Sequence, residues 1–143
     1  MGLFSEIADK FLAELLERQY RVIVPGRRDR IPSKLLKEVE KTEQISAKNT
    51  KMTIYVCLDY GGRDEIKRAA AQAEGESLQH FLEVPDLDIV FRTGDERRLS
   101  NFCIWQAAYA ELFVVEKLLP EIKKEDISEV LDAFRSRNRR KGL

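Results

Sequence analysis

Apolar residues at positions 3, 4, 7, 8, 11, 12, 15 and 16 recur with the period of an α-helix and predict one amphipathic helix over residues 3–16. A β-branched run, Tyr20-Arg21-Val22-Ile23-Val24, reads as a buried strand, and Pro25-Gly26 closes it with a turn. Ser33, just after Ile31-Pro32, is placed to cap a helix that runs through Leu35, Leu36 and Val39 to residue 43. Residues 52–58 (MTIYVCL) are apolar at nearly every position rather than at alternate ones, as in strands covered on both faces. Asp59-Tyr60-Gly61-Gly62 breaks this strand, and an alanine-rich helix is predicted over 63–73. A connector over 75–85, with some helical content at 78–82, leads to a third strand over 87–91. The apolar spacing from 101 to 119 predicts a long helix stopped by Pro120, and a last helix is predicted over 127–137.

Strands that alternate with helices give an α/β fold built on a parallel sheet with right-handed crossovers and helices on both faces. The 143 residues amount to a single domain over 1–143, without repeats or a linker. About three strands is few, since sheets usually have five or six, so the pattern describes a partial sheet. A sheet edge or apolar surface left uncovered favours association. A homodimer or higher oligomer is therefore expected, with the apolar 104–119 stretch as its contact.

Charge narrows the function. Lys plus Arg and Asp plus Glu both number 25, so the formal net charge is zero. That argues against nucleic-acid binding, which needs an excess of cations against phosphates. No run approaches the roughly 20 apolar residues of a membrane span, and no signal-peptide pattern opens the chain, so a cytoplasmic location is expected. Cys57 and Cys103 sit among apolar neighbours and read as buried thiols, and the single His80 excludes a multi-histidine metal site.

Ligands of open parallel sheets bind beyond the carboxyl ends of the strands, and two loops fall there. In Asp59-Tyr60-Gly61-Gly62-Arg63, paired glycines permit close backbone approach, and Arg63 stands at a helix start. The loop from Arg92 to Phe102 carries Arg92, Arg97, Arg98 and a Ser100-Asn101 pair at the mouth of the predicted helix. Arginines and a helix N-terminus together suit a diphosphate. On spacing alone, a solvated loop whose arginines pair with Asp95 and Glu96 is an equal reading. The Arg27–Arg30 run reads as a solvated loop. Trp105, Tyr109, Leu112 and Phe113 read as core or dimer-interface residues.

The stretch PDLDIVFRTGDERRLSNFCIWQAAYAELFVVEKLLP (85–120) resembles the most specific signature of the cis-prenyltransferases, the undecaprenyl diphosphate synthase family. TIYVCLDYGGRDEI (53–66) is similar to a second block of that family, and the likeness extends from Leu3 onward through Glu40-Lys41-Thr42-Glu43 and Asn49-Thr50. The resemblance implies that Arg92, Arg98 and Ser100 hold the diphosphate of isopentenyl diphosphate, and Gly61, Gly62 and Arg63 are expected among the substrate-binding residues. It implies that Glu111 is a Mg²⁺-linked carboxylate. The ending Arg140-Lys141-Gly142 looks like the family's RxG, which would place Arg140 and Gly142 at a neighbouring subunit's substrate. The implied reaction condenses isopentenyl diphosphate with an allylic prenyl diphosphate and leaves a cis double bond.

Two departures qualify this. Asp59 stands where the family has Asn, which brings a negative charge towards the phosphate loop. The family's opening DGN block, and the Ser/Arg/Glu segment after it, have no counterpart in these residues. The expectation is thus a truncated form of the fold with an isopentenyl half-site, incomplete without an allylic half from a partner chain, as homodimer or heteromer. The alternative is a non-catalytic partner or scaffold subunit that dimerises.

Overall fold

The computed structural model describes residues 13–137. Its contacts divide after Tyr60 into two compact units. The helix predicted over 3–16 falls almost wholly outside the described residues, and positions 13–17 are helical.

The first unit is a β-α-β crossover of β1 (Tyr20–Ile23), α1 (Ser33–Ser46) and β2 (Met52–Tyr55). The strands pair in parallel, from Tyr20 opposite Met52 to Ile23 opposite Tyr55. Beyond Tyr55 the chain stays beside β1, with Val56 N–H donating to the Ile23 carbonyl and Leu58 N–H to that of Pro25. Pro25 has no N–H to return, so the regular ladder stops short of the predicted residue 58. The core gathers Leu15, Val22, Val24 and Val39, with Tyr20, Ile54 and Leu58 packed against them. Gly26, at φ +124°, lies so close to the Leu58 carbonyl that a Cβ would sit 2.1 Å from its oxygen.

Helix α1 starts one residue before the expected cap, with Pro32 at the N-cap and Ser33 already helical. It also runs three residues past 43, and the last turn has a task. Ser46 Oγ accepts the Val22 N–H at 3.0 Å and Glu43 Oε1 accepts the Val24 N–H at 2.8 Å. These donors are two residues apart and point away from β2, so α1 side chains cover part of the strand edge expected to stand open. The 27–30 run lies largely in solvent, as expected, and its arginines are paired. Arg27 pairs with Asp29, Arg28 with Glu43 at 2.8 Å, and Arg30 with Asp59 at 2.5 Å.

The second unit contains α2 (Gly62–Ala73), a 3₁₀ turn at Leu78–Phe81, β3 (Ile89–Arg92), β4 (Glu111–Val114) and α3 (Lys124–Ser136). β3 and β4 pair in parallel, from Ile89 opposite Glu111 to Arg92 opposite Val114. The predicted 101–119 helix does not form. Ser100, Asn101 and Cys103 adopt φ of +49°, +62° and +43°, which no right-handed helix accommodates. Turns occupy the stretch up to residue 110. Leu112-Phe113-Val114-Val115 then behaves as its aromatic and β-branched composition favours, and Val115 N–H extends the ladder to the Arg92 carbonyl at 2.9 Å. The apolar content was read correctly and the period was not. With no helix there, Trp105, Tyr109 and Leu112 are largely exposed, while Cys103 and Gln106 turn inward. Cys57 is half-buried, and neither cysteine is in a disulfide. His80 is exposed.

The fold is α/β with parallel strand pairs and helical elements between them, as the alternation predicted. Among the described residues four strands are present where about three were expected, the fourth being β4.

Candidate functional site

Every described residue assigned to the diphosphate site falls in the second unit. Arg92 closes β3, and the next residues turn back along that strand. The return brings Ser100 to Arg92, whose guanidinium donates to Ser100 Oγ at 3.4 Å. A cleft of about 350 Å³ opens beside this pair. Arg92 and Ser100 are its polar lining, and Ile89, Phe91, Leu99 and Phe102 supply apolar walls. A cation and a hydroxyl beside an apolar slot match a ligand with a short hydrocarbon body and an anionic head.

The loop keeps its shape through Asn101. Its backbone carbonyl accepts the Gly62 N–H at 2.7 Å, and its side-chain Oδ1 accepts the Arg63 N–H at 2.9 Å. These are two of the donors that an α-helix leaves unpaired at its start. Gly61, at the N-cap, has no side chain with which to satisfy them. A residue 38 positions along the chain therefore does the work of a cap. The approach is close enough to need glycine: a Cβ on Gly62 would stand 2.9 Å from Ile104 Cγ1 and 3.2 Å from the Asn101 carbonyl oxygen. Gly61, Gly62 and Arg63 are thus brought against the Ser100-Asn101 turn. The helix mouth expected after Ser100 is absent, and the helix start in contact with the loop is that of α2, already occupied by Asn101.

Arg97 pairs with Asp95 at 3.1 Å and Arg98 with Glu96 at 2.6 Å. These are the pairings of the solvated-loop reading, and both lie in solvent. Arg98 is 69% exposed. Such pairs contribute about 0–1 kcal/mol, less than the charge-assisted bonds a diphosphate offers an arginine. They leave Arg98 able to exchange partners. Asp59 holds two bonds from Arg30, at 2.5 and 2.8 Å, and this hydrogen bonding keeps its carboxyl below the usual range. The charge that departs from the family pattern is therefore engaged within the first unit.

Glu111 opens β4 rather than lying on a helix, with its N–H bonded to the Asp88 carbonyl at 3.0 Å. Its half-buried carboxylate accepts a hydrogen bond from Arg137. Among the described residues, no three acidic, histidine or cysteine side chains gather as a metal site. A single hard carboxylate still fits Mg²⁺, which commonly takes one or two carboxylates and completes its shell with phosphates and water. Arg140 and Gly142 lie outside the described residues.

Sequence reasoning missed a buried polar cluster behind the site. Glu65, 1% exposed, accepts the N–H groups of Glu83 and Val84 at 2.8 and 3.3 Å and the Gln106 amide at 2.9 Å. Gln106 is equally buried and also donates to the Val84 carbonyl. The signal was present, because a carboxylate one turn into an alanine-rich helix falls on the face that Ala69 and Ala73 bury.

A family model for undecaprenyl diphosphate synthases, Prenyltransf, matches residues 1–142. An isoprenyl transferase of Rhodopirellula baltica is 37% identical, with 99% of this chain and 67% of the relative aligned. One from Neisseria meningitidis serogroup A is also 37% identical, with 62% of its length covered. The chain spans about two thirds of the length of these relatives. A probable undecaprenyl diphosphate synthase from Campylobacter jejuni superposes with a TM-score of 0.92 at 28% identity, over 99% of this chain and 72% of that one. Lavandulyl diphosphate synthase from Lavandula x intermedia, solved with dimethylallyl diphosphate, gives 0.84 at 26% identity, over 92% and 65%. Among the described residues, no helix is long and apolar enough to cross a membrane.

Proposed function

From the premise that the chain belongs to the undecaprenyl diphosphate synthase family, we propose that these 143 residues bind isopentenyl diphosphate for condensation with an allylic prenyl diphosphate. The observation that carries this is the amphiphilic cleft at the end of β3, with Arg92 and Ser100 at its polar part and apolar walls beside them. In the proposed complex Arg92 and Ser100 hold the diphosphate inside the cleft. Arg98 leaves Glu96 to reach its outer oxygens, and Arg63 adds charge from the start of α2. Holding the head group fixes the five-carbon body against Ile89, Phe91 and Phe102. That turns a bimolecular encounter into an oriented one. Glu111 would hold Mg²⁺, which when bound neutralises charge on a departing diphosphate.

In this reading the allylic half is supplied by another chain or segment. The test is transfer of labelled isopentenyl diphosphate onto farnesyl diphosphate in Mg²⁺, by the chain alone and with a full-length family member bearing a disabled isopentenyl site. Stimulation in the mixture, lost with Arg92→Ala, is expected. No transfer under any pairing, from a chain that also fails to bind isopentenyl diphosphate, would contradict it.

A second reading, a non-catalytic subunit that associates, is favoured by the exposed Trp105, Tyr109, Leu118 and Leu119. Light scattering at micromolar concentration checks the association, and a monomer would remove its support.

A further inference from the structure

Glu111 is the carboxylate assigned to the metal, and a cation already sits on it. Arg137, at the end of α3, donates to Glu111 Oε2. The same guanidinium lies 4.8 Å from the centroid of the Phe113 ring. Residues two apart on a strand share a face, so Arg137 spans Glu111 and Phe113 together. Its backbone is also held, with the Arg137 N–H bonded to the Phe134 carbonyl at 3.2 Å. The carboxylate is 26% exposed and the guanidinium 49%, so this pair is better sheltered than Arg97–Asp95 or Arg98–Glu96.

We infer that Arg137 is a placeholder cation that holds Glu111 until a divalent ion binds, and so sets the affinity of that carboxylate for metal. The inference rests on the reading of Glu111 given above. A lone half-buried carboxylate would be repelled by nothing and neutralised by nothing, and its desolvation would go uncompensated. Arg137 removes that penalty and, through the Phe113 ring, keeps the carboxylate in one orientation. A guanidinium and a dication cannot share the oxygen without strong repulsion. Binding of the ion therefore exchanges one cation for the other and releases Arg137 from the carboxylate.

The test is Mn²⁺ binding to the full chain in the presence of inorganic diphosphate, read from the electron paramagnetic resonance signal of the free ion. Arg137→Gln keeps the stem and removes the charge, and is expected to tighten binding about two- to five-fold, the range a half-exposed ion pair supports. Phe113→Leu, which loosens the guanidinium without touching the carboxylate, should shift binding the same way by less. Glu111→Gln should weaken it in either background. Unchanged or weaker binding in Arg137→Gln, with Glu111→Gln still impaired, overturns the placeholder role and leaves the proposed function standing. Binding that is absent, or indifferent to Glu111→Gln, overturns both.

Discussion

Asn101 offers the sharpest check on how the phosphate loop is held. Replacing it with Ala removes the Oδ1 that accepts the Arg63 N–H at 2.9 Å. The Gly62 N–H bond to the backbone carbonyl survives. Loss of one capping acceptor costs about 1 kcal/mol. Ala must then adopt φ +62°, where a Cβ without a local polar partner adds about 1 kcal/mol. The sum is about 2 kcal/mol, and the two parts separate by substitution. Asn101→Gly loses the acceptor and relieves the backbone, so it should cost about 1 kcal/mol or less. Asn101→Asp keeps the acceptor and places a negative charge at the start of α2, so it should be near neutral. Urea unfolding of the three variants, compared at equal m-values, measures this order. Equal stability of Asn101→Ala and Asn101→Asp would refute the capping role, and Asn101→Gly as poor as Asn101→Ala would refute the strain.

Asp59 should titrate below the ordinary aspartate value of 3.8 because Arg30 donates to its carboxylate. Stability from that pair is then present above about pH 4 and lost as the pH falls through the folded value, so Asp59→Asn should flatten the acid limb. A carboxyl titration by NMR at or above 3.8 would count against it. Glu65→Ala removes the acceptor of the buried Val84 N–H and the partly buried Glu83 N–H and should cost about 3 kcal/mol in chemical denaturation, whereas a loss under about 1 kcal/mol would mean the cluster does not brace the site. Gly62→Ala drives a Cβ to 2.9 Å from Ile104 Cγ1 and should cost about 1–3 kcal/mol, read in the same assay.

Strands β1 to β3 and helices α1 to α3 were legible because composition and period agree there. MTIYVCL is β-branched and apolar at once, and the apolar face of α2 repeats through Ala69 and Ala73. The 101–119 stretch was misread because Trp105, Tyr109, Leu112 and Phe113 fall near helical spacing by chance, while nothing in the letters announces left-handed Ser100, Asn101 and Cys103. Arg92, Ser100, Gly62 and Arg63 meet through a turn and the start of α2, rather than through a new helix at Ser100. What single residues could not show was partnership, since Glu65 with Gln106, Asn101 with α2, and Arg137 with Glu111 all join positions far apart in the chain.

In the proposed function the chain binds isopentenyl diphosphate at the end of β3. Equilibrium binding of labelled isopentenyl diphosphate to the purified chain in Mg²⁺, beside Arg92→Ala and Arg98→Ala, tests it most directly. Saturable binding is expected, weakened about tenfold or more in each variant, the worth of one charge-assisted hydrogen bond. Binding of equal strength in all three proteins, or none in any, would contradict it.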